Sequence, residues 1–396
     1  MPPIERINRA ARLVAPLFLM PLAACLPAER TPPAVPNLQA ADISFQAERL
    51  LPDLPEAYLD VSPRQLDDGL KVGSLGTDAG MSLPVVSFAK EIARGDHGEV
   101  DSLLIWHEGK LLFESYFRRG RINYPHYQMS ITKSYTALAI GRAIQLGHLT
   151  MADLDRPVVS FFDTLNLATL ADGTDRITLA QAMTMRSGIR LPPNKAMFLR
   201  KPTEAVQGHL QVRAMLEATR AIGPPPREFK YQGTDTALAM QVLDVVVPGT
   251  AEQFIQAELL DKLGITSYAW VKDVSGLPKS AAGSSMRSRD MLKWGLLVLN
   301  QGRHQDEQLI PPEFIATATS PLCSVAKDTS YGFFFWRHTA KVDDKPVDCI
   351  TCRGAGGQFI FLIPAQKLIA VVTAHNKGMG GILNQTCQAL IKTFSN

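Results

Sequence analysis

Ser-x-x-Lys occurs at three places in this chain of 396 residues: Ser87-Phe88-Ala89-Lys90, Ser130-Ile131-Thr132-Lys133 and Ser324-Val325-Ala326-Lys327. The spacing puts a hydroxyl and an ammonium on one face of a helix. At a helix N-terminus, unpaired backbone N–H groups and the dipole stabilise negative charge developing on the serine. A lysine desolvated beside it loses its proton more readily and can accept the serine's. This is the chemistry of a nucleophile that attacks a carbonyl and carries the acyl group as an ester.

Context separates the three. Ser87 precedes Lys90, Glu91 and Arg94, the solvated face of an amphipathic helix from Val85 to Arg94. Ser324 lies in a loop-like stretch between Pro321 and Lys327-Asp328. Ser130 opens a long helix of few charges that runs to about Leu146, with Gly147 as its C-cap. Tyr135, Leu138 and Ile144 give that helix a mostly apolar surface, so it is buried on most sides. Ser130 is therefore expected at the floor of a cleft. The plainer reading is a capping serine followed by a lysine with a buried stem.

Other chemistries find less support. No Gly-x-Ser-x-Gly elbow occurs, which argues against an α/β-hydrolase. Phe359 stands where a dinucleotide loop after Gly354 and Gly356 needs its third glycine. His375 has no acid partner placed by the sequence and reads as structural. Cys349 and Cys352 have metal or redox spacing, but Cys323 and Cys387 are isolated, so no metal site is expected.

The elements that must position Ser130 follow from periodicity. Ser102 to Trp106 and Leu111 to Phe117 are apolar-aromatic strands joined by the short turn His107-Glu108-Gly109-Lys110. Residues 151–276 are mainly helical with Pro and Gly breaks, clearest at Thr236 to Val246 and Ala251 to Leu263. Ser288 reads as the N-cap of a helix to Asn300. Strand-like runs return at Tyr331 to Trp336, Phe359 to Ile363 and Leu368 to Ala374, and an amphipathic helix closes the chain from Ile382 to Phe394. Strands at both ends of the chain and helices between them predict an α+β fold. One antiparallel sheet is built from both chain ends and flanked by helices, with a helical lobe inserted at about 150–280.

Two later motifs complete a pattern. Tyr231-Gln232-Gly233-Thr234-Asp235 starts the Thr236 helix, and Cys352-Arg353-Gly354-Ala355 leads into the Phe359 strand. With Ile177-Thr178-Leu179, Met185-Arg186-Ser187-Gly188 and Tyr331-Gly332-Phe333 in the same order, the chain resembles the serine β-lactamase and penicillin-recognising hydrolase superfamily. The resemblance runs from about Asp60 to the C-terminus. It is nearest the class C-like branch of D-Ala-D-Ala carboxypeptidases, family VIII esterases and 6-aminohexanoate-oligomer hydrolases. Asp67-Asp68-Gly69 and Gly109-Lys110-Leu111 through Glu114 favour the esterase and oligomer-hydrolase side.

The resemblance implies Ser130 as nucleophile, Lys133 as its activating partner and Tyr231 as a partner in proton transfer. It implies an oxyanion hole from the N–H groups of Ser130 and Ala355, and substrate contacts at Gly233, Asp235, Cys352, Arg353 and Gly354. Two positions depart from the pattern. Gly233 stands where Asn or Ser orients substrate, and Cys352 stands where Lys or His grips a carboxylate. Arg353 is adjacent, but strand neighbours point to opposite faces. The implied activity is hydrolysis of esters or amides (β-lactam and D-Ala-D-Ala-like bonds among them), with a small-molecule or peptidoglycan-like substrate and no cofactor. A non-catalytic lipoprotein that binds cell-wall fragments or a partner in the same cleft is the alternative.

The N-terminus predicts where this happens. Residues 1–24 read as a signal segment: Arg6, Arg9 and Arg12, an apolar run too short to span a bilayer, then Leu22-Ala23-Ala24-Cys25. This resembles a bacterial lipobox, with Cys25 lipidated, residues 25–55 a Pro- and Ala-rich tether, and the hydrolase domain at 56–396. Leu26 after the cysteine favours the periplasmic face of the outer membrane. The net charge of +3 falls to +1 without residues 1–24, so nucleic acid is not an expected partner. Four cysteines remain after Cys25, and in an oxidising compartment they allow three disulfide pairings.

Overall fold

The computed structural model describes residues 31–78, 82–199, 201–342, 345–379 and 381–394. The signal segment and Cys25 lie outside them. No helix of the described residues is long and apolar enough to cross a membrane.

The strands are β1 (Tyr58–Asp60), β2 (Val100–His107), β3 (Lys110–Tyr116), β4 (His126–Tyr127), β5 (Tyr268–Trp270), β6 (Ser284–Met286), β7 (Arg303–His304), β8 (Glu307–Gln308), β9 (Cys323–Ala326), β10 (Thr329–Tyr331), β11 (Trp336–Val342), β12 (Lys345–Gly354), β13 (Gln358–Ile363) and β14 (Leu368–Ala374). The main sheet has nine strands in the order β1-β3-β2-β14-β13-β12-β11-β10-β9. Its pairings are antiparallel, and β2 against β14 joins the two chain ends. The fold is α+β: this antiparallel sheet, helices on both faces, and a helical segment inserted between β4 and β9.

Period-two alternation feeds two cores. Leu104 and Trp106 of β2, with Ile369 and Val371 of β14, face the larger apolar cluster. Val100, Leu103 and Ile105, with Leu368, Ala370 and Val372, face the smaller one. The helices Ser82–Arg94 and Ile382–Phe394 cover the smaller cluster. Thr132–Gln145, Ser288–Leu299 and the inserted helices cover the larger. Because both faces are covered, the central strands are buried along nearly their whole length. Glu108 (φ 45°) and Gly109 (φ 98°) are both left-handed in the β2–β3 turn, as a tight hairpin of right-twisted strands requires.

The structure departs from the sequence reading in four places. Residues 331–336 are not a strand. Gly332 to Phe335 reverse the chain between β10 and β11, with Phe334 at φ 61° and Gly332 packed where a Cβ would meet Ala318 O at 2.1 Å. The helix after β6 is capped by Arg287; Ser288 is already helical, and its hydroxyl meets Ser102 Oγ at 2.8 Å. The Ala251–Leu263 helix splits into an α segment, Ala251–Ile255, and a π turn, Gln256–Leu260. The tether ends early. Val35 exchanges two 2.8 Å hydrogen bonds with the Asn123 side chain. Ser44 caps a helix over Phe45–Arg49 that buries Glu48 to 1 % exposure. Composition marked this stretch as extended. A buried acid with a buried histidine partner, His126, helps to dock it, beside the Phe45–Tyr127 ring contact.

Candidate active site

Ser130 lies in a 3-10 turn, Met129–Ile131, that runs directly into the helix Thr132–Gln145. Neighbouring elements fix that turn from several sides. Met129 takes the left-handed conformation at φ 50°, which swings the chain from β4 into the turn. Gln128 N–H donates to Ser284 O of β6 at 2.9 Å, and the Tyr135 hydroxyl donates to Gln128 Oε1 at 2.5 Å. Thr132 Oγ1 donates to Met129 O at 2.7 Å. From the sheet side, β12 presses Gly354 against the turn, where a Cβ would stand 2.3 Å from Gln128 O. Glycine is needed at 354 for that approach, so its role is to seat the turn that carries Ser130.

Lys133 is 4 % exposed. Its Nζ donates to Ser130 Oγ at 3.0 Å and to Ala281 O at 2.5 Å. No carboxylate pairs with it among the described residues. Burial, reinforced by the charge of Lys279, brings its ammonium down to about 7. Tyr231 lies beside Ser130, close enough for the serine hydroxyl to affect its titration. Burial raises its hydroxyl above the ordinary tyrosine range, and the Ser130 hydroxyl and the Arg353 charge offset only part of that. Lys133 Nζ stands over the face of the Tyr231 ring, 4.7 Å from its centroid. Ser130, Lys133 and Tyr231 therefore cluster from two helix starts, the first two joined by a hydrogen bond and the third by its ring against Lys133.

Ala355 follows β12 and lines a cavity of about 440 Å³ with Met129, Gly356 and His375. Gly233 lines a second cavity, about 410 Å³, with Lys230, Lys279 and Ala281. A Cβ at Gly233 would meet that of Ala281 at 3.2 Å, so the position faces the segment that holds Lys133.

Arg353 points to the face opposite Cys352, as strand alternation predicts. Its guanidinium lies 4.9 Å over the ring of Trp336, whose ladder partner Thr351 is two residues away, and is close enough to Tyr231 to influence its titration. Nε donates to Thr351 Oγ1 at 2.8 Å and Nη2 to His338 Nδ1 at 3.2 Å. Burial lowers the guanidinium to about 10.

Two expected substrate contacts are placed elsewhere. Asp235 is fully buried beneath the tyrosine loop. It takes hydrogen bonds from Ser187 Oγ (2.7 Å) and Gln232 Nε2 (2.6 Å), and burial without a cation raises its carboxyl to about 6. It positions the loop that carries Tyr231. Cys352 is 3 % exposed and faces Ser134 within the larger core; burial raises its thiol to about 12. His375 does have a partner, Asp101 at 2.5 Å, but its other nitrogen faces Glu48 at 3.8 Å. Both its nitrogens are thus engaged by carboxylates. Ala281 O, Lys279 and Trp336 belong to the site and carry no local motif; only the path of the folded chain brings them there.

A serine whose hydroxyl meets a desolvated lysine at a helix start, beside an antiparallel sheet, defines a serine-hydrolase architecture. The Beta-lactamase family model matches residues 89–384, and the chain belongs to that family. Among curated proteins none matches in sequence. Solved structures share the fold at low identity. A class C beta-lactamase is 17 % identical, with TM-score 0.60, covering 81 % of this chain and 98 % of its own. A protein assigned as a 6-aminohexanoate-dimer hydrolase from Bacillus anthracis is 18 % identical, with TM-score 0.60, covering 92 % and 97 %. A D-stereospecific amidohydrolase from Streptomyces is 17 % identical, with TM-score 0.55, covering 77 % and 96 %.

Proposed function

We propose that this protein hydrolyses ester or amide bonds through an acyl-enzyme on Ser130. The observation that carries the reading is the 3.0 Å contact between Ser130 Oγ and Lys133 Nζ, with Lys133 held near neutrality by burial. In its neutral form Lys133 takes the Ser130 proton as Oγ attacks the carbonyl carbon. Its ammonium form then protonates the leaving alkoxide or amine, with the Tyr231 hydroxyl beside Ser130 as a further proton donor. Tyr231, raised by burial, remains protonated at neutral pH, so the base is Lys133 and the tyrosine is a donor. The N–H groups of Ser130 and Ala355 hold the tetrahedral oxyanion. Water attacks the ester by the reverse route and releases the acid.

Arg353 offers a cation beside Tyr231 and Trp336, which suits a substrate with a carboxylate near its scissile bond. The neighbours' assigned amide substrates agree with an acyl-transfer site of this kind. Location follows from the lipobox reading: a lipid on Cys25 holds the domain on the periplasmic side of the cell envelope. Replacing Cys25 with Ser then abolishes metabolic incorporation of labelled palmitate, and a label that persists overturns the anchor.

The deciding experiment is fluorophosphonate labelling with a p-nitrophenyl ester panel. Labelling and turnover present in the wild type and lost in Ser130→Ala support the enzyme. A wild type that neither labels nor turns over any ester, amide or β-lactam is instead the non-catalytic binder.

A further inference from the structure

Behind the sheet, away from Ser130, three side chains that the reaction does not use come together. Cys349 lies on β12 and Cys387 on the helix Ile382–Phe394. Their sulfurs are 3.9 Å apart, and both side chains are buried in the smaller core. His338 of β11, paired opposite Cys349 in the ladder, brings Nε2 to 3.4 Å from Cys387 Sγ. Cys323 and Cys352 belong to the other face of the sheet, against the larger core. Cys323 meets only carbonyl oxygens, of Thr184 and Tyr331. Of the six pairs that four cysteines offer, the fold brings one together, Cys349 with Cys387.

Two sulfurs and an imidazole within 4.8 Å of one another also have the makings of a metal site. The hydrogen bond on the far side of the ring argues against it. A guanidinium can only donate, so Arg353 Nη2 at 3.2 Å requires His338 Nδ1 to accept. The ring proton then sits on Nε2 and points at the sulfurs. A metal-ligating nitrogen must present a bare lone pair there. An N–H facing two thiols instead stabilises a thiolate. The Cys387 S–H donates to Cys349 and, with the His338 ring beside it, holds the Cys349 thiol below the ordinary range, while Cys387, the donor, is pushed up.

We propose that Cys349 and Cys387 are a disulfide-forming pair that fastens the C-terminal helix to the sheet behind the active site. The covalent step is thiol–disulfide exchange with a low-molecular-weight disulfide, completed as the helix docks during folding. The Cys349 thiolate attacks one sulfur of glutathione disulfide; that S–S bond breaks and one glutathione thiolate leaves. Cys387 gives up its proton and attacks Cys349 Sγ in the mixed disulfide, and the second glutathione thiolate leaves. Two protein thiols are oxidised, one glutathione disulfide is reduced, and the two protons end on the two glutathiones. The bond closes a loop between positions 38 apart. Because His338 touches both this pair and Arg353, the anchor of the last helix and the cation beside Tyr231 share one ring.

The test does not depend on catalysis. The full chain, reduced and denatured, is refolded in a glutathione redox buffer. Free thiols are blocked with iodoacetamide, and the protein is digested without reductant and mapped by mass spectrometry. The expected result is one cross-linked peptide pair, Cys349 to Cys387, with Cys323 and Cys352 alkylated. Reduction then lowers the melting temperature by about 5 °C in the wild type and in Cys323→Ser, and leaves Cys387→Ser unchanged. If Cys387→Ser does not fold, the wild-type map decides alone. Alkylation of all of Cys323, Cys349, Cys352 and Cys387, a different pairing, or one zinc per chain that shields two thiols until a chelator is added would each overturn the proposal.

Discussion

At the scale of single residues, the function turns on what burial does to Lys133. Its ammonium is desolvated, donates to two neutral oxygens and has no carboxylate partner, so neutrality is within its reach. The rate constant kcat/KM for a p-nitrophenyl ester is expected to rise about tenfold per pH unit below about 7 and to level above it, as Lys133 becomes a base. A profile flat between pH 5 and 8 excludes Lys133 as the base. The same shift has a cost in stability. Between the free lysine value and about 7 the unfolded chain binds the proton and the folded chain does not, so stability falls as pH drops through that window. Lys133→Met is expected to lose roughly 10³-fold in kcat yet melt no lower than wild type at pH 6. Serine and lysine were legible at this scale from their spacing. The burial that tunes the lysine was not, because it comes from residues 279–281, which carry no pattern of their own.

At the scale of elements, the turn that carries Ser130 is held by β12, β6 and the first turn of its own helix. Gly354→Ala forces β12 away from Gln128 O. We expect ester turnover to fall at least about tenfold and stability by about 1–3 kcal/mol. Unchanged kcat in that variant would show that the contact does not seat Ser130. Asp235 acts one layer further out, through Gln232 and Ser187. Its carboxyl is raised above the unfolded value, so its charged form is the destabilised one. Wild-type stability is expected to rise as pH falls from about 6 towards 4, by up to about 3 kcal/mol, and Asp235→Asn should flatten that limb in urea titrations. The sequence placed Asp235 against substrate because it stands in the motif. Only the turn of the helix Gly233–Val246, which directs Asp235 into the core, reveals its other role.

At the scale of the whole molecule, the segment before β1 is part of the domain. Glu48 reaches His126 four residues before Ser130, and His375 and Asp101 continue the network. Burial alone would lower the His126 imidazole, but the Glu48 and Asp101 charges and the hydrogen bonds overcome it and raise the value. The stabilisation is therefore complete below the unfolded histidine value and lost as pH rises through the folded one. Glu48→Gln is expected to lower the melting temperature at pH 6 more than at pH 9. An equal loss at both pH values would show that the pair contributes packing alone. This docking escaped the sequence reading because proline and alanine content dominated the segment.

With Tyr231 legible only through the family resemblance, the sequence taken alone determined the sheet-and-helix alternation, the hairpin of β2 and β3, and the spacing of Ser130 and Lys133. Those follow from local periodicity and short fixed spacings, which one stretch of chain carries by itself. Tertiary structure decided the rest. It stacked Arg353 over Trp336, turned Asp235 and Cys352 into the core, gave His375 its acid, and set Cys349 beside Cys387. Each of these depends on contacts between segments far apart in the chain, where desolvation and hydrogen-bond supply are set by packing that no single stretch encodes.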